Sequence, residues 1–335
     1  MRILLIANYS ETGGGISVQV RLLQEKLRKE GIECDILSTK GSPFKRVKSV
    51  IWLLSHGREY DILHMHACSD KGFLPAIIGI TTGRLLGKRT VLTYHGGGAE
   101  GYFRRKTRLV KHYLNRTSAN IVLSEFIGRV FDQYGLEYIV IPNIIELQDR
   151  PTRRRNYLQP NYISIRALSD TYNLECTLRA FEYVVKKKPE ATLTLLGEGP
   201  SREKLEEMVK NREIPHISFV GHVNNEEIYQ YLDKADIMVS SSRFDNMPVS
   251  ILEGFNAGVL VISSRVGGVP YMIEDGKNGL LFDNDNAEMM ADQMLHAVED
   301  QGHSRQMIEA ARRSLGKYRW ENNKLLLFRL YNGNL

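Results

Sequence analysis

The stretch Ser240-Ser-Ser-Arg-Phe-Asp245-Asn-Met-Pro248-Val-Ser-Ile-Leu-Glu253 decides how the rest of the chain reads. It holds two carboxylates, Asp245 and Glu253, with seven residues between them. The turn Asp245-Asn-Met-Pro248 leads into a short helix that runs to Asn256-Ala-Gly258. Pro248 suits the first helical position, where a missing N–H costs nothing. Ile251, Leu252 and Phe255 would make a core face, and the helix N-terminus is a natural anion site. With a rise of ~1.5 Å per residue, Glu253 sits about two turns from Asp245, so the two acids can reach different parts of one ligand. A strand, Val259-Leu-Val-Ile262, and then Gly267-Gly268 follow.

Outward from that motif the same alternation of strand and helix continues, which means a parallel sheet with helices on both faces. In the first half, short apolar strands are expected at Ile3–Ala7, Cys34–Ser38, Asp61–His66, Arg89–His95, Ala119–Leu123 and Tyr138–Ile141. The pattern stops at Pro142-Asn143, and Gln148–Asn156 is polar and reads as a linker. It restarts with Tyr162–Ala167, a helix over Leu174–Lys187, and strands at Ala191–Leu196, Ile217–Val220 and Ile237–Ser240. Two helical stretches close the chain, the last of them Trp320–Tyr331.

A chain of 335 residues is long for one core, and two domains are expected. No apolar run reaches the ~18 residues of a spanning helix, and Met1–Ala7 reads as a first strand rather than a signal peptide. Cys34, Cys68 and Cys176 have neither zinc nor disulfide spacing, which fits a reducing compartment. The net charge of +6 is uneven: residues 1–150 hold 22 Lys and Arg against 14 Asp and Glu, the remainder 23 against 25. The excess gathers in Lys45-Arg-Val-Lys48 and in Arg104–Lys111, both on stretches of helical apolar spacing (Val47, Val50, Ile51, Leu54; Leu109, Tyr113, Leu114). Such faces suit an anionic membrane surface or, equally, plain solvent.

Several residues could carry chemistry. Gly13-Gly-Gly15 turns from the first strand into the first helix, where glycine lets backbone N–H groups approach a phosphate, although no dinucleotide fingerprint is present. His95 ends a strand, where polar groups collect in such sheets. His64 and His66 share one strand face but have no third metal ligand at a suitable spacing. Arg166 follows a strand, and Leu196-Gly-Glu-Gly-Pro200 and Phe219-Val-Gly-His-Val223 are strand-end turns.

The Asp245…Glu253 pair, the Ala257-Gly258 helix end and the Gly267-Gly268 turn together resemble the paired-acid motif of the retaining glycosyltransferases of family 4. The first acid there is commonly Glu; here it is Asp, one methylene shorter. The resemblance spans about residues 1–331 and is most specific over Arg166–Phe181 and Ser240–Gly276. It implies an α/β chain of GT-B type: two Rossmann-like, doubly wound parallel-sheet domains facing across a cleft. Residues 1–150 would be the basic, acceptor-side domain, 151–318 the donor-side domain, and 319–335 a helix crossing back to the first.

The resemblance further implies a retaining, metal-independent transfer from a nucleotide-diphosphate sugar, a UDP-sugar foremost, to a saccharide or lipid-linked saccharide. That chemistry belongs to cell-envelope polysaccharide or glycolipid synthesis, in a cytoplasmic protein with an anionic membrane surface as a further partner and no nucleic acid. Arg166, Asp245 and His95 would act at the reacting sugar and phosphate. Gly14, Gly15, Tyr172, Gly197, Val220, Asn246, Met247, Pro248 and Glu253 would bind the donor, with no metal and no cofactor. Family members usually pair the arginine with a Lys about five residues on; here Tyr172 stands nearest, as in a branch with Arg followed by Tyr-Asn and an Asp-Asn-Met-Pro loop. The missing Lys keeps open a non-catalytic, nucleotide-sugar-binding partner subunit. A sugar-nucleotide epimerase of similar architecture is the third reading, and the paired acids argue against it.

Overall fold

In the computed structural model, residues 1–11, 15–145, 153 and 155–334 are described. They fall into two compact units, Met1–Glu146 with Lys317–Leu335, and Leu147–Gly316. Unit 1 strings together β1 (Arg2–Ala7), α1 (Ile16–Lys29), β2 (Glu33–Ser38), α2 (Pro43–His56), β3 (Ile62–Ala67), α3 (Leu74–Leu85) and β4 (Arg89–Tyr94). It continues with α4 (Ala99–Arg105), α5 (Thr107–Leu114), β5 (Ala119–Val122), α6 (Glu125–Gln133) and β6 (Ile139–Val140). Its six strands lie in the order β2-β1-β3-β4-β5-β6, all parallel. Ile3 to Ile6 are wholly buried because helices cover both faces of the sheet, so the strand is apolar throughout instead of alternating. One core packs β3 and β4 against α3, α4 and α6, and a second lies under α1.

Unit 2 runs β7 (Asn161–Ile165), α7 (Leu174–Lys187), β8 (Thr192–Leu196), α8 (Arg202–Asn211), β9 (Ile217–Gly221), α9 (Asn225–Lys234), β10 (Ile237–Ser240), α10 (Val249–Ala257) and β11 (Leu260–Ser264). After β12 (Leu280–Phe282) come α11 (Ala287–Glu299) and α12 (Gln301–Ser314). The strand order is β12-β11-β10-β7-β8-β9, again parallel. The chain then returns to unit 1 through α13 (Trp320–Asn332). There Trp320 Nε1 donates to Glu30 Oε1 (2.9 Å), and Arg89 Nη2 donates to the Leu330 carbonyl (2.8 Å).

Strand β12 has no counterpart in the sequence reading, and three further details differ from that reading. Pro248 is the N-cap of α10, not its first helical residue, because its ψ of 118° is extended. The closing segment holds three helices rather than two: Asp300 breaks the run, and its carboxylate accepts the His303 N–H (3.0 Å) to start α12 afresh. The basic segment after β4 is split at Lys106 into α4 and α5. Among the described residues no helix is long and apolar enough to cross a membrane, and Cys34, Cys68 and Cys176 are all unpaired thiols.

Candidate functional site

In unit 2 the chain leaves β7 toward β8 on one side and later returns to β10 on the other. The strand order therefore reverses between β7 and β10, and ligands of open α/β sheets bind outside the carboxyl ends of the strands at such a point. Arg166 is the first residue beyond β7, and Asp245 lies in the loop beyond β10. Sequence reasoning took them as separate contributors; they form an ion pair, Arg166 Nη1 to Asp245 Oδ2 at 3.1 Å. Arg166 Nε donates to Ser240 Oγ (3.2 Å), and its guanidinium lies 5.2 Å from the centroid of the Tyr172 ring. Its Nη2 is buried and has no partner among the described residues. A buried charge-bearing donor left unpaired is costly, and such orphans call for an explanation.

The supporting layer comes from the serines that end β10. Ser241 Oγ donates to the carbonyls of Tyr172 and Asn173 and shares a hydrogen bond with Thr177 Oγ1 (2.7 Å), which holds the β7–α7 loop. Ser264 Oγ donates to the Ser242 carbonyl (2.6 Å). Asn173 takes a left-handed conformation (φ 50°), accessible to Asn with its short polar side chain. Asp245 Oδ1 accepts the Asn246 N–H (2.9 Å), and the Asp245 carbonyl accepts the Gly268 N–H (3.0 Å). The Gly267-Gly268 turn thus braces the acid loop.

Burial pushes the Asp245 carboxyl up, while Arg166 and the Asn246 N–H pull it down. The Glu253 carboxyl is raised to about 7, mainly by burial, with Arg166 opposing. Glu253 lies on the first turns of α10, and its carboxyl group makes no hydrogen bond among the described residues. Asn246, Met247 and Pro248 are buried between the two acids.

Gly197 and Val220 line the same strand ends. A Cβ at Gly197 would lie 2.0 Å from the Arg166 carbonyl, so glycine there (φ 140°) is what lets the β8 turn touch the β7 turn. Its N–H donates to the Gly221 carbonyl (2.8 Å). The pairing of β8 with β9 skips Val220: Leu195 faces Phe219 and Leu196 faces Gly221. Val220 is thus a bulge on an edge strand, a device that re-aims backbone groups next to active sites.

In unit 1, His95 follows β4. Its Nε2 and His66 Nδ1 share a hydrogen bond (2.9 Å). His64 uses both ring nitrogens, Nδ1 with the Tyr331 hydroxyl and Nε2 with Thr93 Oγ1 (each 2.8 Å), which removes it from metal binding. Burial lowers His64 and His95 to about 3 and His66 well below its usual value, so all three rings are neutral at pH 7. A cavity of about 50 Å³ lies against these rings under α13. Gly15, the N-cap of α1, has φ 51°, while Gly14 lies outside the described residues. The described residues that bring possible metal ligands together are exposed His296 and Asp300 with half-buried His303, where α11 meets α12, and His303 Nε2 already bonds the Gly276 carbonyl (2.7 Å).

Two family models meet end to end along this chain: "Glycosyltransferase Family 4" over residues 45–149 and "Glycosyl transferases group 1" over residues 148–314. The chain belongs to the family 4 glycosyltransferases. Among its relatives, this transferase is 30% identical over 151 residues to the sulfoquinovosyl transferase SQD2 of Arabidopsis thaliana. That match takes in 44% of this chain and spans only 29% of the relative's length. It is 25% identical over 338 residues to the alpha-monoglucosyldiacylglycerol synthase of Streptococcus pneumoniae, covering 84% of this chain and 75% of that one. Anabaena HepE, solved in complex with UDP-glucose, superposes with a TM-score of 0.80 at 16% identity over 99% of this chain and 100% of that one, which establishes the shared GT-B fold.

One residue of this glycosyltransferase escaped the sequence reading. Arg155, within the stretch read as a polar linker, is buried in unit 2. It donates to the carbonyls of Leu232 and Ala235 at the end of α9 and of Ala257 and Gly258 at the end of α10, and sits 3.3 Å from buried Asp236. One guanidinium thus satisfies the free carbonyls of two helix C-termini. An arginine within a basic run gives no sign of this; the one available signal was the lone acid Asp236 just before the apolar strand β10.

Proposed function

We propose that this family 4 glycosyltransferase is a retaining, metal-independent enzyme that moves a sugar from a UDP-sugar to a saccharide or lipid-linked saccharide. The observation that carries the proposal is Arg166: a buried guanidinium at the reversal of strand order, with an unpartnered Nη2 and an acid already in contact. A nucleotide diphosphate supplies the acceptor oxygens that Nη2 lacks. Arg166, helped by the N-terminal N–H groups of α10, stabilises the charge that develops on the departing diphosphate, where such help acts most strongly. Tyr172, standing where relatives carry a Lys, backs the guanidinium through its ring face. A single fixed cation then does what two do elsewhere in the family.

Glu253, as a carboxylate, accepts the ribose hydroxyls. The bulged backbone at Val220 and the tight turn at Gly197 flank the nucleotide, and Asp245 with the Asn246–Pro248 backbone holds the sugar. His95, neutral at pH 7, offers the sugar an uncharged hydrogen bond, as the family resemblance implies. No enzymic base is assigned: the leaving phosphate takes the acceptor proton on the face from which it departs. Support for UDP comes from the fold shared with HepE, a protein solved with UDP-glucose.

The test is thermal stabilisation of the purified chain by UDP-, GDP- and ADP-sugars, followed by transfer assays with and without a chelator. Stabilisation by UDP-sugars and chelator-resistant transfer are expected. No stabilisation by any donor would remove the donor site. Binding without transfer to any acceptor would make the chain a partner subunit, and a new sugar nucleotide formed without acceptor would make it an epimerase.

A further inference from the structure

The two basic stretches of unit 1 fold differently. On α5, Val110 and Leu114 are buried and Leu109 and Tyr113 pack on the core, so its apolar face is used up within the fold. On α2, Leu53, Val50 and Trp52 face inward, but a second apolar stripe points to water: Phe44, Val47, Ile51 and Leu54 are 68%, 55%, 61% and 44% exposed. Their spacing of three and four residues places them on one side of the helix. Beside the stripe runs an apolar groove of about 400 Å³ between α2 and α3, edged by Arg46 and floored by Val50, Leu74 and Ile78. Single exposed apolar residues are ordinary, but four in register beside an apolar groove mark an interaction surface.

The charges around the stripe select the partner. From Lys40 to Arg58 there is no acidic residue, while Lys45, Arg46 and Lys48 interleave with the apolar row along α2. Lys48 Nζ lies 4.8 Å from the Phe44 ring centroid, so cation and apolar group occupy one edge. Arg46 Nε is buried at the groove edge with no partner among the described residues, which suits an anionic oxygen. A second copy of the same surface would oppose basic to basic, which costs association energy. An anionic bilayer meets both demands, because phosphates take the cations and the acyl boundary takes the apolar row.

We infer that α2 is a membrane-docking helix: it lies in the plane of an anionic lipid surface with Phe44, Val47, Ile51 and Leu54 inserted and Lys45, Arg46 and Lys48 on lipid phosphates. Docking there would bring the enzyme to lipid-borne acceptors without a spanning segment. It needs no sugar donor, so it stands or falls apart from the transfer chemistry.

The test is cosedimentation of the full chain with vesicles of phosphatidylcholine alone or with ~30% phosphatidylglycerol. Binding to the anionic vesicles only is expected. It should weaken as salt shortens the screening length from about 10 Å at 0.1 M to about 3 Å at 1 M. Lys45→Gln with Arg46→Gln and Lys48→Gln should weaken binding roughly 100-fold. Phe44→Ser with Ile51→Ser, which leaves the charge unchanged, should weaken it about tenfold or more. Both variants change residues of one solvent-facing helix, and far-UV circular dichroism with a ligand-free thermal melt checks that they remain folded. No binding by the wild type, or undiminished binding by the Phe44/Ile51 variant, overturns the inference. So does a wild-type dimer that this variant turns into a monomer, because the stripe would then be a contact between copies.

Discussion

At the scale of single residues, Glu253 makes a prediction that its motif alone could not. The spacing from Asp245 was legible because it repeats a family pattern, but its protonation depends on burial, which only the fold supplies. With its value raised to about 7, Glu253 is neutral in the empty protein below that pH and ionised above it. A carboxylate accepts two ribose hydroxyls better than a carboxylic acid does. UDP affinity should therefore rise about tenfold from pH 6 to pH 8, and Glu253→Gln should flatten that rise; titration calorimetry at each pH reads both. Stability runs the other way. A folded value above the unfolded one means that Glu253's contribution is intact in acid and is lost as pH rises through about 7. Without ligand, Glu253→Gln should melt above the wild type at pH 8 by roughly 2–4 °C and with it at pH 4. The Arg166–Asp245 pair was not legible, because 78 residues separate the two in the chain and only the parallel pairing of β7 with β10 brings them together.

At the scale of elements, strands and helices were read well where apolar runs were long, and missed where a side chain set the boundary. The extended backbone of Pro248 delays α10, and the Asp300 cap divides α11 from α12. Both depend on local conformation that composition does not encode. The joint between the β7 and β8 turns predicts that Gly197→Ala displaces the Arg166 backbone, since its Cβ would meet that carbonyl at 2.0 Å. Turnover should fall on the order of 10²-fold, as a displacement of about 1 Å can cost, while far-UV circular dichroism stays unchanged. Arg155 acts at the ends of α9 and α10. Arg155→Ala removes the buried cation beside Asp236, leaves it only the more exposed Arg153 as a charge partner (3.4 Å), and frees the helix-end carbonyls, so it should cost about 3 kcal/mol in denaturant unfolding. Arg155→Lys should recover little, because one ammonium cannot reach the Leu232, Ala235, Ala257 and Gly258 carbonyls together.

At the scale of the whole molecule, the GT-B class was legible from the alternation of strand and helix and from one acid motif. The use made of each basic helix was not. Apolar spacing on α2 and α5 looked alike in sequence, and only packing showed that one buries its face and the other presents it. The candidate donor-binding residues Arg166, Tyr172, Gly197, Asp245 and Glu253 all lie in unit 2, at one sheet's carboxyl edge and on the loops and helix that leave it. The account therefore hangs on Arg166 as the cation that meets the departing diphosphate. The most direct measurement is kcat for sugar transfer by Arg166→Ala beside the wild type, with donor affinity measured on the same samples. The account predicts a loss of about 10²-fold or more in kcat, equivalent to roughly 2–4 kcal/mol of barrier, with a smaller loss in donor affinity. Near-normal turnover by Arg166→Ala would contradict it.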